Sequence, residues 1–214
     1  MDFLNKRVIV TAGATYEPID PVRFIGNRSS GKQGIEIAKV FAERGADVVL
    51  IAGVIQPQLL EDLPANITVR NATTADEMLD ATLDALPCDI AVFVAAVSDW
   101  KVANFSEQKI KKNGDTPPTL TLTENPDILQ TVCRDARRPH FVVGFAAETE
   151  NIVANAQAKL AKKGCDCIVA NSVAGGKTFM DDDNQIYIIS ADGVRKFPTM
   201  SKGKVAEILA DYVK

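Results

Sequence analysis

Residues 11–34 read TAGATYEPIDPVRFIGNRSSGKQG, between an apolar run, Val8-Ile9-Val10, and a helical pattern, IEIAKVFAERG. A strand, a connection rich in glycine, serine and threonine, and a helix in that order present free backbone N–H groups to an anion. An ordinary strand-to-helix turn takes about 2–6 residues. This connection is far longer, so phosphate cradling alone does not account for it.

Outward from this segment, apolar runs and helical patterns alternate along the chain. Strands are predicted at 7–11, 47–52, 67–70, 90–97, 141–147 and 166–170, and helices at 32–44, 74–86, 125–134, 151–163 and from 202 onward. Gly45 falls near the end of the first helix, and Pro126 in the first turn of the third. The stretch IAVFVAAV at 90–97 is apolar on both faces, as a central parallel strand covered by helices must be. The pattern predicts an α/β fold, a doubly wound Rossmann-like parallel sheet with helices on both faces. Two segments interrupt it. Residues 120–122 alternate with threonine beside Pro117-Pro118, predicting a small antiparallel strand. Residues 185–190 and 194–197 flank Ala191-Asp192-Gly193, which predicts a hairpin extension. With no repeat, low-complexity tract or linker, residues 1–214 are expected to form a single nucleotide-binding domain.

The 214 residues are 46% apolar, enough for a large buried core. A formal charge of −4 gives no electrostatic basis for nucleic-acid binding. No apolar run approaches the ~20 residues of a membrane span. The opening MDFLNKRVIV has no signal-peptide architecture, so a cytoplasmic protein with no membrane partner is expected. Cys88, Cys133, Cys165 and Cys167 match no zinc spacing and read as buried or strand-edge thiols. The single histidine, His140, leaves no material for a histidine metal site or a Ser-His-Asp relay.

In sheets of this class ligands sit beyond the carboxyl ends of the strands. Four polar connections leave those ends, at 12–34, 98–116, 147–151 and 171–183, and their convergence locates a candidate site. The first nearly spells a P-loop from Gly26 to Lys32, but Gln33 stands where a magnesium-holding hydroxyl belongs, and Gly26 does not directly follow a strand. Gly13 and the later SGKQG are split by a long insertion, so a dinucleotide fingerprint fits little better. Tyr16, Tyr187 and Tyr212 provide no Tyr-x-x-x-Lys dyad for a dehydrogenase. Ser29-Ser30-Gly31 fits anion binding combined with helix capping.

Arg23 and Asn27 sit four apart around Phe24 and Ile25. Asn27 can grip a carbonyl or amide without bringing charge, and Arg23 can clamp a phosphate or carboxylate. A loop held by its own arginine and Asx contacts is an equal reading. Lys109-Ile110-Lys111-Lys112 can neutralise a polyphosphate or form a solvated face. Asp99, just beyond the central strand, can accept from a sugar hydroxyl, help hold a metal or stabilise a turn.

Together the strings TAGATYEPIDPVRFIGNRSSGKQG, AAVSDW, KIKK, NPDIL and VVGFAAET resemble the phosphopantothenate–cysteine ligase family of coenzyme A biosynthesis, in order and over nearly the whole chain. The resemblance implies a two-step ligation. The carboxylate of 4′-phosphopantothenate attacks the α-phosphorus of CTP with Mg²⁺ present, diphosphate leaves, and the amine of cysteine then displaces CMP from the acyl-cytidylate. Such chemistry needs positioning and electrostatic stabilisation, with no nucleophilic side chain. Carried over by motif, Asn27 contacts the acyl intermediate, and Lys109 lies on a strip that closes the site in relatives. Gly13, Arg23, Ser29, Ser30, Gly31 and Ala96 fall in the phosphopantothenate motifs. Phe93, Val94, Ala95, Asp99, Lys109, Pro126, Asp127, Ile128, Leu129, Phe145, Lys159 and Lys163 fall at nucleotide positions.

The turn at Pro126 opens a helix whose N-terminus favours an anion. Lys159 and Lys163 share a helical face toward the triphosphate. Base recognition is expected from backbone groups near Phe145, and the metal ligands are not identified. Where relatives often carry alanine, this chain has Ser98, a small residue still. Relatives are homodimers, and in many bacteria the ligase is fused to a flavin-dependent decarboxylase; a stand-alone ligase and an excised domain both fit this sequence. The competing expectations are an NAD(P)-dependent reductase on the same fold and a non-catalytic nucleotide-sensing subunit.

Overall fold

The computed structural model describes residues 2–112, 117–173 and 183–214. Its first half runs β1 (Arg7–Ala12), β2 (Tyr16–Pro18), β3 (Phe24–Gly26), α1 (Lys32–Glu43), β4 (Asp47–Ala52), β5 (Ile67–Asn71), α2 (Ala75–Asp84) and β6 (Ile90–Phe93). The second half runs β7 (Trp100–Val102), β8 (Leu122–Glu124), α3 (Ile128–Arg134), β9 (Phe141–Glu148), α4 (Ile152–Lys163), β10 (Cys167–Ser172), β11 (Asp183–Ser190), β12 (Gly193–Ser201) and α5 (Lys202–Tyr212).

Eight strands form one sheet in the order β12-β11-β10-β9-β6-β1-β4-β5. The six from β10 to β5 are parallel, and β11 and β12 continue the sheet antiparallel. Numbered along the chain, the parallel strands lie 3-2-1-4-5-6, the doubly wound order whose direction reverses between β1 and β6. Alternation along β1 shows how both faces are buried. Val8, Val10 and Ala12 pack with Ile35, Phe41 and Leu209 of α1 and α5, while Ile9 packs with Met78, Val132 and Ile168 on the α2–α3–α4 side. Each such side chain contributes about 1.5–3 kcal/mol when fully buried. No described helix is long and apolar enough to cross a membrane.

The long first connection is a folded object. It pairs with itself as β2 and β3, and Tyr16 stacks on Phe24 with ring centroids 3.9 Å apart. It is pinned to the body where the Tyr16 N–H donates to the Thr73 carbonyl at 2.8 Å and buried Glu17 accepts from the Ala75 N–H at 3.0 Å. A second small sheet, β7 with β8, pairs Trp100 with Glu124 and Val102 with Leu122.

Several boundaries differ from the sequence reading. The central strand stops at Phe93: Gly13 turns β1 at φ 85°, and beyond it only an isolated bridge, Ala14 with Ala96, continues the pairing. The third helix begins at Ile128, with the Asp127 carboxylate accepting from the Gln130 N–H at 3.0 Å, so Pro126 precedes the cap rather than occupying the first turn. The strand expected at 120–122 lies at Leu122–Glu124, where β7 supplies its partner. The hairpin is the expected extension, joined to the main sheet through β10. Residues 113–116 and 174–182, within two of the predicted connections, lie outside the described residues.

All four cysteines are free thiols, buried or half-buried. Burial pushes Cys88 up to about 12 and Cys133 up to about 11.

Candidate active site

A cavity of about 870 Å³ opens beyond the carboxyl ends of β1, β6, β9 and β10, at the point where the strand order reverses. Its floor is the segment after β6. The Ala95 N–H donates to Thr11 Oγ1 at 3.2 Å, the Ala96 N–H to the Gly13 carbonyl at 2.8 Å, and the Ser98 N–H to Thr15 Oγ1 at 2.9 Å. Asn27 Nδ2 donates to the Val97 carbonyl at 2.9 Å, which fixes the asparagine over the floor. Phe93, Val94, Ala95, Ala96 and Asp99 all line this surface.

One wall is the entry to α1, where Gly13, Asn27, Ser29, Ser30 and Gly31 face the cavity. Gly31 caps the helix in the left-handed region at φ 79° and offers no side-chain cap. A Cβ on Gly13 would approach Ile55 Cγ1 to 2.5 Å and one on Gly31 to 2.8 Å, while one on Gly34 would meet Ala12 Cβ at 2.5 Å. These are the spatial roles of dinucleotide-fingerprint glycines: a tight turn, an open approach to the ligand and close helix–strand packing. The insertion splits them in sequence, and the β2–β3 hairpin brings them together again. Gly26 lies in β3, which removes the P-loop reading.

The other wall is cationic. Lys159, Lys162 and Lys163 of α4 face the residues that open α3: Pro126, Asp127, Ile128 and Leu129. Ile128 and Leu129 bury their side chains in the core, so only their backbone is available to a ligand. Lys163 pairs with Asp127. Burial raises the Asp127 carboxyl, but Lys163 and the Gln130 N–H outweigh it, and the net shift is downward. α3 is seven residues long and its N-terminus is already capped by the Asp127 carboxylate. Lys159 Nζ donates to the Phe145 carbonyl at 2.7 Å, taking up the carbonyl of the residue reserved for base recognition. Burial, then the charge of Lys163, lowers the Lys159 ammonium below its ordinary value.

Arg23 and Lys109 do not line the cavity. Arg23 is paired with buried Asp20 and donates to the Ile110 carbonyl at 3.0 Å, while the Ile110 N–H donates to Asp20 at 3.1 Å. The Arg23 guanidinium, with the N–H groups of Val22, Ile110 and Arg23, holds the Asp20 carboxyl well below the usual carboxylate range. The arginine offered by the sequence as a phosphate clamp thus binds the insertion to the KIKK strip, and Lys109 lies beside that clasp.

The sequence reading did not single out Lys162, Asn125, Asn184 or Lys202, all on the cavity wall. Lys162 was recoverable, three residues from Lys159 on the same helix. Asn125 opens the NPDIL string, and its Nδ2 donates to the Ser98 carbonyl at 2.9 Å. Asn184 and Lys202 carry no local signal, since only the β11–β12 ladder brings them to the cavity. Among the described residues no group of three or more His, Cys, Asp or Glu side chains is arranged to hold a metal.

Residues 3–214 match the family described as DNA/pantothenate metabolism flavoprotein C-terminal domain. The Coenzyme A biosynthesis bifunctional protein CoaBC of Mycobacterium bovis is 45% identical over 202 residues, which cover 90% of this chain and 48% of that protein. The protein of the same name from Haemophilus influenzae is 43% identical over 213 residues, 99% of this chain and 51% of that one. The chain therefore spans about half the length of these curated relatives. A crystal structure of the C-terminal domain of Coenzyme A biosynthesis bifunctional protein CoaBC superposes with a TM-score of 0.80 at 32% identity, covering 100% of this chain and 97% of that one.

Proposed function

The chain belongs to the DNA/pantothenate metabolism flavoprotein C-terminal domain family, and on that premise we propose that it is a phosphopantothenate–cysteine ligase of coenzyme A biosynthesis. The observation that carries this reading is a single cavity whose lysine wall and whose asparagine–glycine wall meet over the ends of β1 and β6. Such a cavity holds a triphosphate and an acid in contact, with backbone and amide donors in place of a nucleophile. The kinship with coenzyme A biosynthesis proteins supplies the substrate class.

In this reading CTP is the co-substrate. A carboxylate oxygen of 4′-phosphopantothenate attacks the α-phosphorus, and the bond to diphosphate breaks. The cysteine nitrogen then attacks the acyl carbon, the bond to CMP breaks, and the nitrogen gives up a proton. Lys159, Lys162 and Lys163 oppose the charge of the triphosphate, and the entry to α1 at Ser29-Ser30-Gly31 serves the acid's phosphate. Asn27, fixed by the Val97 carbonyl, orients the acyl group. Lys109 approaches only when the strip moves inward together with the Asp20–Arg23 clasp that holds it.

The cavity suits a magnesium ion held mainly by the nucleotide. Asp99 and Glu124 are lone carboxylates on its wall, and Mg²⁺ on phosphates commonly takes one or two protein carboxylates with water for the rest. When bound, the ion neutralises phosphate charge.

The same reading makes the chain the ligase half of a longer bifunctional protein or its separate counterpart, with the flavin chemistry residing elsewhere. It is placed in the cytoplasm, where free thiols persist, and is a homodimer. Phe24, Trp100, Phe105 and Leu122 expose large apolar surfaces that a second copy can cover. The NAD(P)-reductase alternative draws nothing from the family membership.

The test is diphosphate release with phosphopantothenate and each NTP in turn, with and without cysteine. Release with CTP before cysteine is added, and product only after, is expected. Silence with every NTP, or a requirement for a nicotinamide, would overturn the reading.

A further inference from the structure

Asn125 is held twice by the cavity floor. Its backbone N–H donates to the Asp99 carbonyl at 2.9 Å, and its Nδ2 to the Ser98 carbonyl at 2.9 Å. Asn27 Nδ2 takes the Val97 carbonyl. The consecutive carbonyls of Val97, Ser98 and Asp99 thus accept from two asparagines that reach the floor from different parts of the chain.

The bond to Ser98 decides how the Asn125 amide points. Only an NH2 group can meet a carbonyl, so the other end of the amide is the oxygen. Asn125 Oδ1 is buried and has no hydrogen-bond partner among the described residues, although Asn125 stands on the cavity wall. A buried acceptor left unmet is costly. Rotating the side chain to find a donor would give up the Ser98 carbonyl, so the oxygen is fixed where it is and the donor must come to it.

The neighbours of Asn125 narrow the choice of donor. The next residues along the chain, Pro126 and Asp127, belong to the wall that carries Lys159, Lys162 and Lys163. A ligand lying there sets an anion along the lysines and a donor close beside it. Phosphate brings no donor. In a nucleoside triphosphate the donors nearest the phosphates are the sugar hydroxyls, and an amine on the base lies farther off, beyond the sugar ring. The hydroxyl and amide N–H of the acid sit between its carboxylate at Asn27 and its phosphate at the α1 entry, toward the other wall. We propose that Asn125 reads the sugar of the nucleotide, Oδ1 accepting from one ribose hydroxyl, so that a ribonucleotide is taken in preference to its deoxy counterpart. This deepens the ligase reading and rests on it.

The experiment uses the whole chain with phosphopantothenate and Mg²⁺, reading diphosphate release with CTP, 2′-deoxy-CTP, 3′-deoxy-CTP and UTP in turn. The wild-type chain should prefer CTP to one of the two deoxy analogues by about 5–100-fold in kcat/KM. In Asn125→Leu that preference should shrink to within about twofold. The variant also cuts the tether to Ser98, but that loss falls on CTP and analogue alike, so the ratio isolates the sugar contact. Asn125→Asp keeps the acceptor and loses the Nδ2 donor; it should slow every nucleotide while retaining the preference. The wild-type comparison stands even if neither variant folds. A wild-type chain that takes both deoxy analogues as well as CTP would overturn the proposal. So would a preference that survives in Asn125→Leu, a defect in that variant that higher Mg²⁺ removes, or a collapse of the CTP-to-UTP ratio in place of the sugar preference, which would make the base amine the donor. A wild-type chain that releases no diphosphate with any nucleotide would overturn the ligase reading itself, so the two failures are distinct.

Discussion

Asn27 owes its position to one hydrogen bond, from Nδ2 to the Val97 carbonyl at 2.9 Å, and that bond leaves its oxygen for a ligand. Asn27→Ala should preserve the fold and most nucleotide binding while slowing product formation on the order of 100–1,000-fold, as loss of one transition-state hydrogen bond does; single-turnover kinetics would read it. Lys159 makes a different prediction. Burial and Lys163 lower its ammonium from 10.5, and a triphosphate binds the protonated form. Nucleotide affinity should therefore be full below the lowered value and fall as pH rises through it, before an ordinary lysine would titrate. Lys159→Arg should move that loss to higher pH, and calorimetry between pH 7 and 10 would show it. The sequence made both residues candidates through a resemblance in motif; their burial and partners come from contacts 70 and 14 residues away.

Among elements, the KIKK strip and the β2–β3 hairpin move together or not at all. Asp20 and Arg23 clasp the backbone of Ile110 from two sides, and the Ser106 N–H adds a bond to the Ile19 carbonyl at 3.1 Å. Arg23→Ala should free the strip, making it more sensitive to protease and lowering nucleotide-dependent kcat/KM on the order of tenfold, about one charge-assisted hydrogen bond. The clasp has a defined pH window. Asp20 is held below its ordinary 3.8, so the contact is fully present above that value and lost only as pH falls through the lower, folded one. Protease sensitivity should stay flat from pH 7 to about 4 and rise below. None of this was legible in PVRF or KIKK separately, because Asp20 and Ile110 are 90 residues apart. The capping box of α2, in which Thr74 and Glu77 satisfy each other's backbone, was legible in part, since its Thr/Asp-rich start is local.

At the scale of the whole molecule, the cavity exists because the strand order reverses between β1 and β6 and the chain departs in opposite directions from those two ends. Ligand held there bridges α1, α3, α4 and the sheet, so binding should stabilise the whole domain. At a CTP concentration about 100 times Kd, the gain is about 2.7 kcal/mol, or roughly 5–10 °C in Tm for a domain of this size. Thermal unfolding with CTP and ATP in parallel would measure it, and a greater shift with ATP would count against the cytidine nucleotide. Sedimentation of the same samples tests the homodimer, with Trp100→Ser expected to shift the population toward monomer.

The sequence by itself determined the class of fold, because apolar runs at strand spacing alternating with helical patterns are local properties. It also determined the family, because long motifs survive in order, and it placed the site at the strand ends. Only the tertiary structure decided that the first connection is a hairpin, that Arg23 is a clasp, and that Gln33 of α1 meets the start of α5 at the Lys202 carbonyl. The physical reason is common to all three. Each is held in place by partners far off in the chain, the hairpin through Thr73 and Ala75 and the arginine through Ile110, and the free energy of such a contact resides in neither segment alone.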